Sequence, residues 1–131
     1  MNKTSKLIAA TLIAFTIPFS VTACGTGEPT ISNAEQRQVI KESTIIDVRT
    51  PTEYGEGHLE NALNIDFKGD EALLKAQLEA LDKKANYIIY CNTGNRSAQA
   101  VAKLKDLGFT KVTDAGALDK ASETTGIKIV Q

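Results

Sequence analysis

The segment from Lys84 to Gln99, KANYIIYCNTGNRSAQ, constrains the fold more than any other part of the chain. Tyr87 to Tyr90 is a short aromatic and β-branched run without charge, typical of a strand that is covered on both faces. Turn-forming residues follow Cys91, and an apolar pattern with helical spacing follows the turn. The pattern therefore predicts that Cys91 lies where a parallel strand ends and a helix begins.

Such a junction lowers the pKa of a cysteine. Unpaired N–H groups of the loop, the positive end of the helix dipole and the guanidinium of Arg96 all favour an anion at Cys91. A free cysteine has a pKa of about 8.5, and surroundings of this kind bring it to roughly 3.5 to 7.5. The alternative is a buried, unreactive cysteine, but that leaves the polar loop unexplained. We therefore predict a reactive thiolate at Cys91.

Three stretches of the sequence follow one set of motifs. The loop has the form C-x-x-G-x-R-S, matched by Cys91, Gly94, Arg96 and Ser97. The other matches follow D-V-R, E-Y, G-H-I and A-x-N-I and then a helix and a strand, at Asp47 to Arg49, Glu53-Tyr54, Gly57 to Leu59, Ala62 to Ile65 and Leu107 to Gly116. Over about residues 44 to 118 the chain resembles the rhodanese-like family, and it is most similar to the phage-shock-protein-E type of single-domain sulfurtransferase.

The resemblance implies an α/β fold, a small parallel β-sheet flanked by helices on both faces, and the alternation of strand and helix patterns favours the same architecture. It also implies a thiosulfate sulfurtransferase that needs no metal or organic cofactor. Cys91 would take sulfur from a sulfane donor such as thiosulfate and hold it as a persulfide. A thiophilic acceptor, which could be cyanide, a thiol or a protein thiol, would then remove it.

The resemblance further implies an active-site loop around the sulfur, formed by Asn92, Thr93, Gly94, Asn95, Arg96 and Ser97. Its N–H groups would hold the persulfide. The guanidinium of Arg96 would bind the departing sulfite. Ser97 would cap the helix and donate to the thiolate.

Other polar residues are candidates for supporting roles. Asp47 ends a predicted strand, so its carboxylate either reaches the loop or makes a structural hydrogen bond. Arg49 and Glu53 lie four positions apart across a helix start, which predicts an ion pair. His58, the only histidine, could be a general base for Cys91, but the resemblance assigns it to a structural turn.

Two other functions are compatible with a cysteine in such a loop. Phosphatases and arsenate reductases resemble one another in placing five residues between cysteine and arginine. Here four residues, Asn92 to Asn95, separate Cys91 from Arg96, and a shorter loop suits one sulfur atom better than a phosphate. A rhodanese-like carrier or binding module that serves a specific envelope protein is the second alternative.

The N-terminal residues have the pattern of a lipoprotein signal peptide. Lys3 and Lys6 precede an apolar stretch from Leu7 to Val21, too short for a comfortable membrane span, and a small residue precedes Cys24. We expect residues 1–23 to be a signal peptide, 24–31 a linker and 32–131 the rhodanese-like domain. Lipidation of Cys24 would anchor the protein in the cell envelope; ordinary cleavage would leave it periplasmic or secreted.

Charge and cysteine content limit the partners. The chain has 15 basic and 16 acidic residues, without a basic stripe or an aromatic stacking platform, so we expect no nucleic acid partner. Cys24 and Cys91 are the two cysteines, and a disulfide between them would consume the nucleophile. The sequence leaves open the physiological donor and acceptor, and also the oligomeric state.

Several element boundaries are predicted from capping patterns. Ser32 with Glu35, and Thr50 with Glu53, have the spacing of capping boxes. A brief strand is expected over Leu63 to Ile65. Asp70 to Leu81 is expected to be a helix that directs Leu73, Leu74, Leu78 and Leu81 inward. Beyond Leu118 the sequence predicts an irregular tail or a short strand.

Overall fold

The computed structural model describes residues 33–131 as alternating helices and strands. In this part of the chain the helices are α1 (Asn33–Glu42), α2 (Pro51–Glu56), α3 (Glu71–Glu79), α4 (Asn95–Asp106) and α5 (Leu118–Thr125). The strands are β1 (Thr44–Asp47), β2 (His58–Leu59), β3 (Leu63–Asn64), β4 (Tyr87–Cys91), β5 (Val112–Ala117) and β6 (Ile129–Val130). The leader, the linker boundary and Cys24 lie outside the described residues.

Four strands form a parallel sheet in the order β3-β1-β4-β5. The two short strands β2 and β6 pair antiparallel beside it. Because all four strands of the main sheet run the same way, their carboxyl ends meet at one edge, where parallel α/β folds place their ligands. This arrangement confirms the predicted α/β fold with a small parallel sheet.

The sheet is covered by helices on both faces, and β4 shows why. Its side chains alternate, so that Tyr87, Ile89 and Cys91 join one buried cluster and Ile88 and Tyr90 join the other. Buried side chains of α3 and α4 complete the first cluster. Side chains of α1, α2 and α5 pack in the second. Every residue of β4 is buried, as expected of a strand covered on both sides.

The start of α2 confirms the predicted capping box. Thr50 Oγ1 accepts a hydrogen bond from the Glu53 N–H at 3.3 Å, and Glu53 Oε2 accepts one from the Thr50 N–H at 3.0 Å. Pro51 occupies the first helical position, where a missing N–H costs nothing. Of the other predicted box, Ser32 lies outside the described residues.

Helix α3 differs from its prediction at one leucine. The carboxylate of Asp70 caps the helix by accepting from the Leu73 N–H at 2.8 Å, and Leu74 and Leu78 are buried as predicted. Leu81 follows the helix and packs partly against the same core. Leu73 is 59% exposed, so its predicted inward position was wrong. Positions 74 and 78 define the buried stripe, and residue 73 lies about 100° away around the helix.

The C-terminal region is more regular than the sequence indicates. Residues after Leu118 form the helix α5, which the sequence did not predict, and then the short strand β6. Strand β6 pairs with β2, at His58↔Val130 and Leu59↔Ile129. The predicted short strand is thus present, and the tail is folded onto the domain.

Candidate active site

Cys91 is the last residue of β4, at the carboxyl edge of the parallel sheet. Helix α4 begins four residues later, at Asn95. The chain therefore turns from strand to helix within residues 92–94, as the sequence pattern predicted. The cysteine is fully buried at the base of this turn, where solvent screens charges less than at the surface.

The sulfur of Cys91 receives hydrogen bonds from its own loop. The Gly94 N–H donates to Sγ at 2.9 Å. The Cys91 thiol donates to the Ser97 Oγ at 3.6 Å, and the Ser97 hydroxyl donates to the Gly94 carbonyl at 3.0 Å, so this hydroxyl can turn to the sulfur once the thiol is ionised. Burial by itself raises the pKa of Cys91, but the hydrogen bonds from Ser97, Gly94 and Thr93 outweigh it, so that the pKa lies below that of an ordinary thiol. The loop therefore favours the nucleophilic thiolate.

The family resemblance implied that Ser97 caps α4, but its side chain makes no capping bond. The cap position is Gly94, which makes no side-chain capping bond, and Ser97 lies within the first helical turn. From there its hydroxyl points back to the sulfur and to the Gly94 carbonyl. The expected contact between Ser97 and the sulfur is present, while the expected capping bond is absent because the side chain lies inside the helix.

Two glycines let the loop approach the end of β5. Gly94 has a φ of +91°, and Gly116 of β5 has a φ of +74°, both in the left-handed region that favours glycine. A Cβ built on Gly94 would lie 3.7 Å from the Gly116 Cα. The active-site loop and the last strand of the sheet therefore lie backbone against backbone.

Arg96 is held by a carboxylate from a distant segment. Its two terminal nitrogens donate to Glu53 of α2, Nη1 to Oε2 at 2.8 Å and Nη2 to Oε1 at 2.7 Å. Glu53 also accepts from the N–H and the hydroxyl of Thr50. These bonds, led by the one from Arg96, lower the pKa of Glu53 to about 2. The pair crosses from α2 to the start of α4 and fixes the direction of the guanidinium.

The predicted ion pair between Arg49 and Glu53 was wrong. Arg49 is instead paired with Asp47, whose carboxylate accepts from the Arg49 backbone N–H at 2.9 Å and from Nη2 at 2.7 Å. Both residues are buried, and Arg49 also donates to the Gly57 carbonyl. Since Arg49 lies before the helix start, its side chain turns back to the strand end, while Glu53 faces the neighbouring loop.

Asp47 has a structural hydrogen-bonding role in this arrangement. Its carboxylate is occupied by Arg49, and within residues 33–131 no hydrogen bond or ion pair joins it to the active-site loop. His58 is structural as well. Its Nδ1–H donates to the Tyr54 carbonyl at 2.9 Å, and its ring stacks on Tyr54 at a centroid distance of 3.7 Å.

The side chain that sequence reasoning missed at this site is the partner of Arg96. Glu53 was placed in a capping box and in an ion pair with Arg49, and both assignments used neighbours in the sequence. The helix start after β1 and the loop after β4 both follow the carboxyl ends of adjacent parallel strands, so they lie at the same edge of the sheet. This proximity is the signal from which a pair between Glu53 and Arg96 could have been predicted.

The described residues contain no group of three or more His, Cys, Asp and Glu side chains that could hold a metal ion. Within residues 33–131, no helix has the length and apolar composition needed to cross a membrane.

Comparisons with known proteins agree with this geometry. A family model described as Rhodanese-like domain matches residues 30–116. Thiosulfate sulfurtransferase PspE of Escherichia coli is 38% identical over 73 residues, which are 56% of this chain and 68% of that protein. A sulfurtransferase of Allochromatium vinosum is 32% identical over 68 residues, which are 52% of this chain and 60% of that protein.

A solved structure described as rhodanese with anions from E. coli has the same fold. It is 33% identical to this chain with a TM-score of 0.54, and the match covers 68% of this chain and 98% of that one. Fold, loop geometry and sequence therefore lead to one conclusion, that the chain belongs to the rhodanese-like family of sulfurtransferases.

Proposed function

We propose that the protein is a thiosulfate sulfurtransferase in which Cys91 carries the transferred sulfur. The observation that carries this proposal is the buried Cys91 sulfur with the Gly94 N–H at 2.9 Å and the Ser97 hydroxyl beside it. These donors lower the pKa of the thiol and would also stabilise a persulfide anion in the same place. The 38% identity to the E. coli thiosulfate sulfurtransferase supports thiosulfate as the donor.

The reaction has two steps. The Cys91 thiolate attacks the outer sulfur of thiosulfate, a bond forms between the two sulfurs, and the bond to the sulfonate sulfur breaks with its electron pair to release sulfite. The persulfide anion remains in the loop. A thiophile such as cyanide then bonds to the outer sulfur, leaves as thiocyanate, and returns the thiolate. No external oxidant or reductant is consumed.

Arg96 has an ordering role in this proposal. Both of its terminal nitrogens bond to Glu53, so its charge is balanced before any donor arrives. We infer that Arg96 holds the first turn of α4 and thereby the Gly94 N–H, in place of the direct sulfite contact that the family resemblance implies. Four residues between Cys91 and Arg96 also give a loop that suits one sulfur atom rather than a phosphate.

The test is the mass of the full chain after incubation with thiosulfate. We expect one added sulfur, about 32 Da, which cyanide removes as thiocyanate. Cys91→Ser should abolish both the addition and the thiocyanate. Cys24→Ser is the matched control, because it replaces the other cysteine of the chain and should leave both the added sulfur and the thiocyanate intact. Thiocyanate production by Cys91→Ser would disprove the mechanism, and a persulfide that cyanide does not remove would indicate a carrier with a specific acceptor.

A further inference from the structure

The helix that the sequence did not predict begins beside the active-site loop. Cys91 lies opposite Ala117 in the register between β4 and β5, and α5 starts at the next residue, Leu118. Gly116, just before it, lies against Gly94 of the loop. The first turn of α5 is therefore a neighbour of the reactive sulfur, although 27 positions separate Cys91 from Leu118 along the chain.

The stem of Lys120, in this first turn, lies against Gly116 at the end of β5. Its Cδ lies 3.9 Å from the position that a Cβ on Gly116 would occupy. Helical side chains lean toward the N-terminal end of their helix, which directs this stem back over the end of β5. Because Gly116 has no side chain, the stem lies close to the backbone that contacts Gly94.

The positively charged side chains at this edge of the sheet differ in whether they have an acidic partner. Arg96 is paired with Glu53 and Arg49 with Asp47. Lys120 is exposed, and no hydrogen bond or ion pair to it occurs within residues 33–131. Three exposed carboxylates lie near it in the chain: Asp114, which accepts from the Gly116 N–H at 2.8 Å, Asp119, and Glu123 one helical turn further along α5. They reduce the local positive potential without contacting the ammonium group.

Resting on the proposed function, we propose that Lys120 is the specificity-determining residue for donors that carry a sulfonate. Thiosulfate is a dianion and must approach a thiolate, so an unpaired cation at the mouth of the loop reduces the repulsion between them. The ammonium group of Lys120 would contact the sulfonate oxygens of the donor and afterwards the released sulfite. Lys120 takes no part in breaking or forming the sulfur–sulfur bonds.

The experiment compares thiosulfate with a small organic persulfide that carries no sulfonate, using the full chain. For Lys120→Gln we expect the KM for thiosulfate to rise about three- to tenfold, with kcat within about twofold, as for loss of an exposed charge contact. Inhibition by sulfite should weaken by a similar factor. Both constants for the organic persulfide should stay within about twofold, and Lys120→Arg should retain the wild-type preference.

The matched control is Lys111→Gln. It removes the same charge from the opposite end of β5, where Lys111 is exposed. Within the part of the chain that the structure describes, Lys111 is bonded only through its backbone carbonyl, which accepts from the Tyr87 N–H. An unchanged KM for thiosulfate in Lys120→Gln, an equal loss with both donors, or the same loss in Lys111→Gln would each overturn the inference. So would a wild-type protein that accepts sulfur only from the persulfide. That last outcome would also remove thiosulfate as the donor in the proposed function. The first three outcomes leave the proposed function intact, because it is tested separately by Cys91→Ser.

Discussion

The reactivity of Cys91 depends on how one hydroxyl proton is shared. The Ser97 hydroxyl donates its single proton to the Gly94 carbonyl at 3.0 Å, and its oxygen accepts from the Cys91 thiol at 3.6 Å. While the sulfur is a neutral thiol, the carbonyl is the better acceptor. Once the sulfur is ionised, a charge-assisted bond from the hydroxyl becomes the stronger one. Ser97 therefore favours the thiolate over the thiol.

We predict that Ser97→Ala raises the pKa of Cys91, because it removes one of the donors that lower it. Alkylation of Cys91 by iodoacetamide should slow about three- to tenfold at neutral pH and should match the wild type at high pH, where the thiol is ionised in both. The measurement is the alkylation rate as a function of pH. Ser122→Ala is the control, since that hydroxyl bonds to the Ile127 carbonyl at 2.7 Å. An unchanged profile in Ser97→Ala would contradict the role.

At the scale of elements, the bond between Glu53 and Arg96 connects α2 to α4. The capping box orients Glu53 independently of Arg96, because the Thr50 N–H and hydroxyl donate to the same carboxylate. The pair is also partly shielded, with side-chain exposures of 27% for Glu53 and 18% for Arg96. Two local structures, a helix cap and a strand-to-helix turn, thus become one site only when β1 and β4 are paired.

We predict that Glu53→Gln lowers the free energy of unfolding by about 1 kcal/mol near neutral pH, a partly exposed pair being worth little more. It should slow transfer from thiosulfate and from an organic persulfide by similar factors, and Arg96→Ala should do the same, because both changes disorder the loop. The measurements are urea unfolding and kcat/KM with each donor. Glu56→Gln in the same helix is the control. A loss confined to thiosulfate would show instead that Arg96 binds the sulfonate.

The same pair gives a pH dependence of stability with a definite sign. The folded-state pKa of Glu53 is about 2, and an unfolded Glu has a pKa of about 4.3. A lowered pKa stabilises the fold above the unfolded value and loses that contribution as pH falls toward the folded value. The stability difference between wild type and Glu53→Gln should therefore be constant above about pH 5 and shrink between there and about pH 2.

At the scale of the whole molecule, the expected envelope location depends on residues outside the described part of the chain. We predict that the full-length protein is lipidated at Cys24 and partitions into detergent, since its leader has the lipoprotein pattern. Cys24→Ala should move it to the aqueous phase or block processing. More than one acyl chain is expected, because a single chain anchors a protein only marginally. If the wild-type protein is recovered in the aqueous phase, unlipidated and beginning at Cys24, the lipidation prediction is wrong. Ordinary cleavage followed by secretion is then the remaining explanation.

The sequence by itself determined the elements whose stability is local. Three features are of this kind: the uncharged strand before Cys91, the turn at Gly94 and the capping box at Thr50. Each involves residues within a few positions of one another, so its pattern can be recognised in the sequence. The motif of the active-site loop was of the same kind. These features were sufficient to predict the α/β class, the family and the position of the reactive cysteine.

Only the tertiary structure decided which charges meet. Arg49 pairs with Asp47, Glu53 pairs with Arg96, and Lys120 lies beside Gly116 through a helix that the sequence did not predict. Each of these outcomes follows from the register of β1, β4 and β5, which brings distant segments to one edge of the sheet. Spacing along the sequence does not show that register. Charged side chains pair with oppositely charged groups that lie close in space, whatever their separation along the chain.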